Sequence, residues 1–160
     1  MLDALTEFAR VVGALPAPGR GGAIGRLNPG STTLLHVTRD TTYLVNFATG
    51  APPDQWVIEQ LETDQAPRFD DALDAFVRGR TMLTPFLETA AAEDLARVAI
   101  PEPVEGLPTH LVGVPLEYLL ARTAAHIFAH AGEMSALASL VGASDLGLPG
   151  EMAATRGSEV

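Results

Sequence analysis

Apolar residues recur at helical spacing in four stretches of the chain. Over Leu2 to Leu15, the residues Leu2, Leu5, Ala9, Val12 and Leu15 form one stripe, with Asp3, Glu7 and Arg10 on other faces. Pro16 and Pro18 end that helix. Between Pro67 and Glu88, the residues Phe69, Leu73, Phe76, Val77, Leu83 and Leu87 repeat in the same way, with Asp70, Asp71, Asp74, Arg78 and Arg80 outside. Pro85 should kink that helix or end a turn of it. The longest stretch runs from Pro115 to Val141, where Leu116, Leu119, Leu120, Thr123, Ile127, Met134, Leu137 and Val141 share a helical period. Pro115 suits its first turn.

The segment Ser31 to Phe47 carries conflicting signals. Its Thr and Val content favours a strand, but it is long for a strand and ordinary for a helix, and Ser31 or Thr32 can cap a helix start. Read as a helix, it places His36, Asp40, Tyr43 and Phe47 on one face and Leu34, Val37, Thr41, Leu44 and Ala48 on the next. A shorter helix is predicted over DQWVIEQLETDQ, where Trp56 is a core anchor. The glycine-rich PGRGGAIGRLNPG reads as a linker, because it lacks both nucleotide-binding glycine spacings and any lysine. The proline-containing run from Val98 to Val114 reads as an extended connection, GASDLGLPG as a helix stop, and EMAATRGSEV as a fraying tail. The expectation is an all-α fold, with one domain over residues 1–150 and a tail over 151–160.

Composition narrows the chemistry. Cysteine is absent, which excludes disulfides, thiolate nucleophiles and Cys-ligated metals. Every basic residue is Arg, so Schiff-base chemistry and a phosphate-binding lysine are excluded as well. The net charge of −10 opposes binding to nucleic acid or to acidic membrane surfaces. Neither a signal peptide nor a membrane span is evident, and a cytoplasmic protein is expected.

Within the last helix, His126 and His130 lie four residues apart, one turn above each other on the same face. Two imidazoles so placed can hold one metal ion, or they can be ordinary helix histidines. Mid-helix placement in an apolar background favours the metal, since burying two unpaired imidazoles is unfavourable. Glu133 falls on the same face, and His36 sits inside another apolar-rich helix. Ile127 follows His126, so the motif is not the HExxH of metalloproteases. His110, in the proline-containing run, is left outside the site.

Four helices of bundle length, the early mid-helix His36, and the ending His126-x-x-x-His130-x-Gly132-Glu133 resemble the DinB-like superfamily of metal-binding four-helix bundles. The segments PGSTTLLHVTRDTTYLVNFATG and HIFAHAGEMSALASLVG are similar to that group's second and last helices. The acidic stretch around Trp56 has no counterpart in the resemblance. What the resemblance implies is an up-down-down-up bundle, a metal bound by His36, His126 and His130 with Glu133 nearby, and transferase or isomerase activity with a mycothiol-type low-molecular-weight thiol. Such bundles often pair, which implies a homodimer.

Three neutral imidazoles leave a divalent ion its charge and at least one open position, the pattern of a catalytic site. Without cysteine, Zn²⁺ fits best and Ni²⁺ next. The open position can take a thiol or, for a metal-dependent hydrolase, a water. Asp40 and Glu133 are candidate acceptors for imidazole N–H groups or general bases, and Tyr43 a hydrogen-bond donor. Arg39 and Arg122 can hold the carboxylate of a small-molecule substrate or cofactor. The rival expectation is a non-catalytic helical binding or dimerisation module with a structural metal or none.

Overall fold

Residues 1–63, 65–104, 107–143 and 146 are described by a computed structural model. The chain forms helices α1 (Leu2–Gly13), α2 (Ala17–Gly21), α3 (Gly30–Thr49), α4 (Gln55–Leu61), α5 (Phe69–Thr89), α6 (Ala92–Ala96) and α7 (Leu116–Leu140), with a 3₁₀ turn at Thr109–Leu111. The described residues contain no strand, only isolated bridges at Ile24–Leu27 and Val98–Pro115. The fold is therefore all-α. The tail at 151–160 and most of GASDLGLPG lie outside the described residues. Among the described residues, no helix is long and apolar enough to cross a membrane.

Three of the six threonines of α3 are accommodated in the helix by hydroxyls that bond back one turn. Thr38, Thr41 and Thr49 Oγ1 donate to the carbonyls of Leu34, Val37 and Val45 at 2.7, 3.0 and 2.8 Å. These bonds satisfy Thr38 and Thr41 on a buried face. That face packs against α5, where Gly79 permits close approach: a Cβ there would lie 3.1 Å from Thr41 Cγ2. Helix α3 also packs on α7, and α1 packs on α7 and α5. Between them lies one apolar core built from Leu5, Phe8, Leu34, Leu44, Phe76, Leu83, Ile127 and Met134, each at most 1 % exposed. Phe8 meets Phe76 edge to face at 5.3 Å.

Several local expectations need correction. Helix α1 stops at Gly13, and Leu15 is buried beyond its end. Glu7 is buried rather than solvated, with both oxygens accepting from Arg10 at 2.6 and 2.8 Å. The supposed linker contains α2, which presses against the start of α3. Helix α5 continues through Pro85 to Thr89, and Val77 is half exposed rather than part of its buried stripe. Trp56 is half-buried against the core edge. Asp54 caps its helix, accepting from the Trp56 and Val57 N–H groups at 3.1 and 3.3 Å, and also accepts from Arg78 of α5.

The run from Val98 to Val114 is more than an extended connection. Its two ends are tied side by side: Ala99 N–H donates to Val114 at 3.2 Å, Gly113 to Ile100 at 2.9 Å, and Leu116 to Arg97 at 2.9 Å. Arg97 in turn donates to the carbonyls of Phe47 and Ala48, anchoring the run at the C-terminal end of α3. Ile100 and Leu111 are buried, so the run folds back onto the helices.

Candidate metal centre

Fully buried Ile127 fixes the rotation of α7, and buried Val37 that of α3. With those residues in the core, His126 and His130 on α7 turn toward His36 on α3. The Nε2 of His126 lies 2.9 Å from that of His130 and 3.2 Å from that of His36. The ligating nitrogens of all three lie within 4.8 Å of one another, and the rings meet edge to face with centroids 4.6 to 5.0 Å apart.

The outer nitrogens settle the tautomers. His126 Nδ1 is 2.9 Å from Asp40 Oδ2, and His130 Nδ1 is 2.8 Å from Glu133 Oε2. An ionised carboxylate only accepts, so each Nδ1 donates. With both rings neutral this leaves the Nε2 lone pairs of His126 and His130 aimed at each other, a repulsion that either a proton on one ring or a metal ion between them relieves. The separations of 2.9 and 3.2 Å suit donors about 2.0–2.1 Å from a common ion at angles of roughly 90–105°. The three histidines thus form a group able to hold a metal ion. No protein-family model, curated protein or solved structure matches the chain.

Each carboxylate found at the site plays the orienting part open to it in the sequence, although Asp40 reaches across to His126 on α7 and not to His36 on its own helix. Its other oxygen accepts from Arg39 Nε and Nη2 at 3.2 and 3.1 Å, so Arg39 holds the carboxylate that holds the imidazole. Burial lowers the His36 pKa, with Asp40 opposing and Arg39 reinforcing the shift. A neutral imidazole is the form that ligates.

His36 and His126 line a cavity of about 390 Å³, together with Arg39, Asp40 and Tyr43 of α3 and Arg122 of α7. His130 and Glu133 do not line it. Tyr43 stacks on Phe47, which also lines it, at 6.2 Å between ring centres. Arg122 is exposed and, among the described residues, has no carboxylate within 4.0 Å. Sequence reasoning missed the roof, made by Ile100, Leu107, Pro108 and Leu111, and the buried Leu119 and Thr123 of the α7 wall. The apolar residues of the proline-containing run were the one signal that it covers something. His110 is exposed and lies outside the cavity, as expected.

Proposed function

We propose that this chain is a metal-dependent enzyme acting on small molecules, a low-molecular-weight-thiol S-transferase or isomerase of the DinB-like kind. The observation that carries this reading is the convergence of three imidazole Nε2 atoms beside a cavity, with two of the rings oriented by carboxylates. A bundle of up-down-down-up type goes with it. In support, Thr38 meets Ala72 and Thr41 meets Gly79, contacts that rise together along α3 and α5, whereas Phe8 meets Phe76 and Thr6 meets Arg80, contacts that run in opposite senses.

A divalent ion held by His36, His126 and His130, zinc by preference and nickel as the alternative, would supply a Lewis acid with an open position that lowers the pKa of a thiol. The chain's own residues do the rest. Asp40 and Glu133 keep His126 and His130 in the ligating tautomer, and Tyr43 offers a phenol O–H from the cavity wall. Among the described residues Asp40 is the only carboxylate of the lining, and both its oxygens are engaged, so it is not free to act as a base on water. That favours thiol chemistry over a metal-dependent hydrolase. The partly exposed imidazoles of His36 and His126 in the cavity lining favour an open site over a structural metal in a non-catalytic module.

The test is elemental analysis of protein purified without a metal-affinity tag, alongside a variant with His36, His126 and His130 all replaced by alanine. About one zinc or nickel per chain, lost in the variant, and a thermal transition raised by small thiols only when metal is present would support the reading. No metal in either protein after reconstitution would overturn it.

A further inference from the structure

The lining of the cavity is charged in the opposite sense to the protein as a whole. The chain carries a net charge of −10, yet among the described residues the lining holds two arginines and one carboxylate. That carboxylate, Asp40, is neutralised in place by Arg39 and spent on His126. Arg122 stands at the cavity wall with no carboxylate within 4.0 Å among the described residues, one turn before His126 on α7 and so about 6 Å from it along the helix face. The same lining carries the apolar side chains of Phe47, Ile100, Leu107 and Leu111, and Tyr43.

We propose that the cavity takes a small organic carboxylic acid, its carboxylate on the Arg122 guanidinium and its apolar body between Phe47 and the roof. This rests on the reading above only in treating the cavity as the substrate site. A guanidinium matches a carboxylate with two parallel N–H donors, whereas a neutral amide offers it one acceptor. A volume of about 390 Å³ lies toward the small end of ligand cavities, which suits an acid with a single ring or a short branched chain.

The experiment is titration calorimetry of 3-phenylpropionate and of its uncharged analogue 3-phenylpropanamide. Each is added to the zinc-loaded protein, to Arg122→Gln, and to the variant with the three histidines replaced by alanine. The acid should bind at least about fivefold more tightly than the amide to the loaded protein, and the preference should fall below about twofold in Arg122→Gln while the amide's affinity is unchanged. Equal binding of acid and amide to the loaded protein overturns the proposal. So does a preference that survives Arg122→Gln, since the metal would then be the seat of the carboxylate. Acid preference retained in the histidine-free variant supports Arg122 as the anion seat. If elemental analysis has found no metal, that same result shows the metal reading to have failed alone.

Discussion

Asp40→Asn isolates what the orienting carboxylate does for the metal. Asp40 Oδ2 accepts from His126 Nδ1 at 2.9 Å, and Oδ1 accepts from Arg39 at 3.1 Å. Asparagine keeps the shape but has one acceptor and one donor group. If the amide oxygen faces His126, the amide N–H₂ is driven against the Arg39 guanidinium. If it faces Arg39, the N–H₂ meets Nδ1, which must then carry the lone pair while Nε2 carries the proton and cannot ligate. Either outcome weakens the site, and loss of such a partner reduces metal affinity by about 10- to 100-fold. A 30-fold loss removes about 2 kcal/mol of the metal's stabilisation at saturating zinc, and for a chain of this size lowers the zinc-bound melting temperature by about 4–8 °C. Zinc affinity measured by competition with a chromophoric chelator, with calorimetric melts of the metal-free and loaded forms, checks both numbers. Unchanged zinc affinity in Asp40→Asn and Asp40→Ala, with His126→Ala abolishing binding, would refute the orienting role.

Further outcomes follow from the same geometry. Ile127→Ala should reduce stability by about 2–5 kcal/mol in urea melts, because the side chain is fully buried in the core behind the two histidines. Gly30→Ala should also destabilise, by about 1–3 kcal/mol, since a Cβ there would collide with Leu15 Cδ2 and sit 2.9 Å from the Gly19 carbonyl oxygen; an unchanged melt would contradict the close packing of α2 on α3. The His36 pKa is lowered by burial, so below about pH 6.5 the unfolded chain takes up more protons than the folded one. Stability of the metal-free protein is therefore present above that pH and lost as pH falls through the window, and His36→Gln should show a smaller loss between pH 7.5 and 5.5 in urea titrations.

The helices that build the site were legible because their periodicity is local. Leu116–Leu140 and Gly30–Thr49 match the expected boundaries to within two residues, and the register of each follows from which apolar positions go inward. That register is also why the one-turn spacing of His126 and His130 and the face carrying His36, Asp40 and Tyr43 could be read in advance. Pairing between helices could not. Nothing local says that Asp40 passes over His36 to meet His126, or that Glu7 folds onto Arg10 at a buried position, because those partners are chosen by the crossing of helices and by burial. The five-residue helices α2 and α6 are too short for a periodic signal. The roof escaped detection because Ile100, Leu107 and Leu111 follow no repeat.

The anchoring of that roof has an evolutionary consequence. Because its two ends are stitched together by Ala99, Gly113 and Leu116, and clamped to α3 through Arg97, what lies between them behaves as an exchangeable insert on a fixed base. The three clustered histidines, His36, His126 and His130, reside on α3 and α7, outside it. Drift in the insert can reshape what the cavity admits while the histidine-bearing helices stay as they are, so a lineage could change what enters the cavity repeatedly without rebuilding the three-histidine group. Grafting a different sequence between Ile100 and Leu111, inside the stitched ends, is the corresponding route for an engineer.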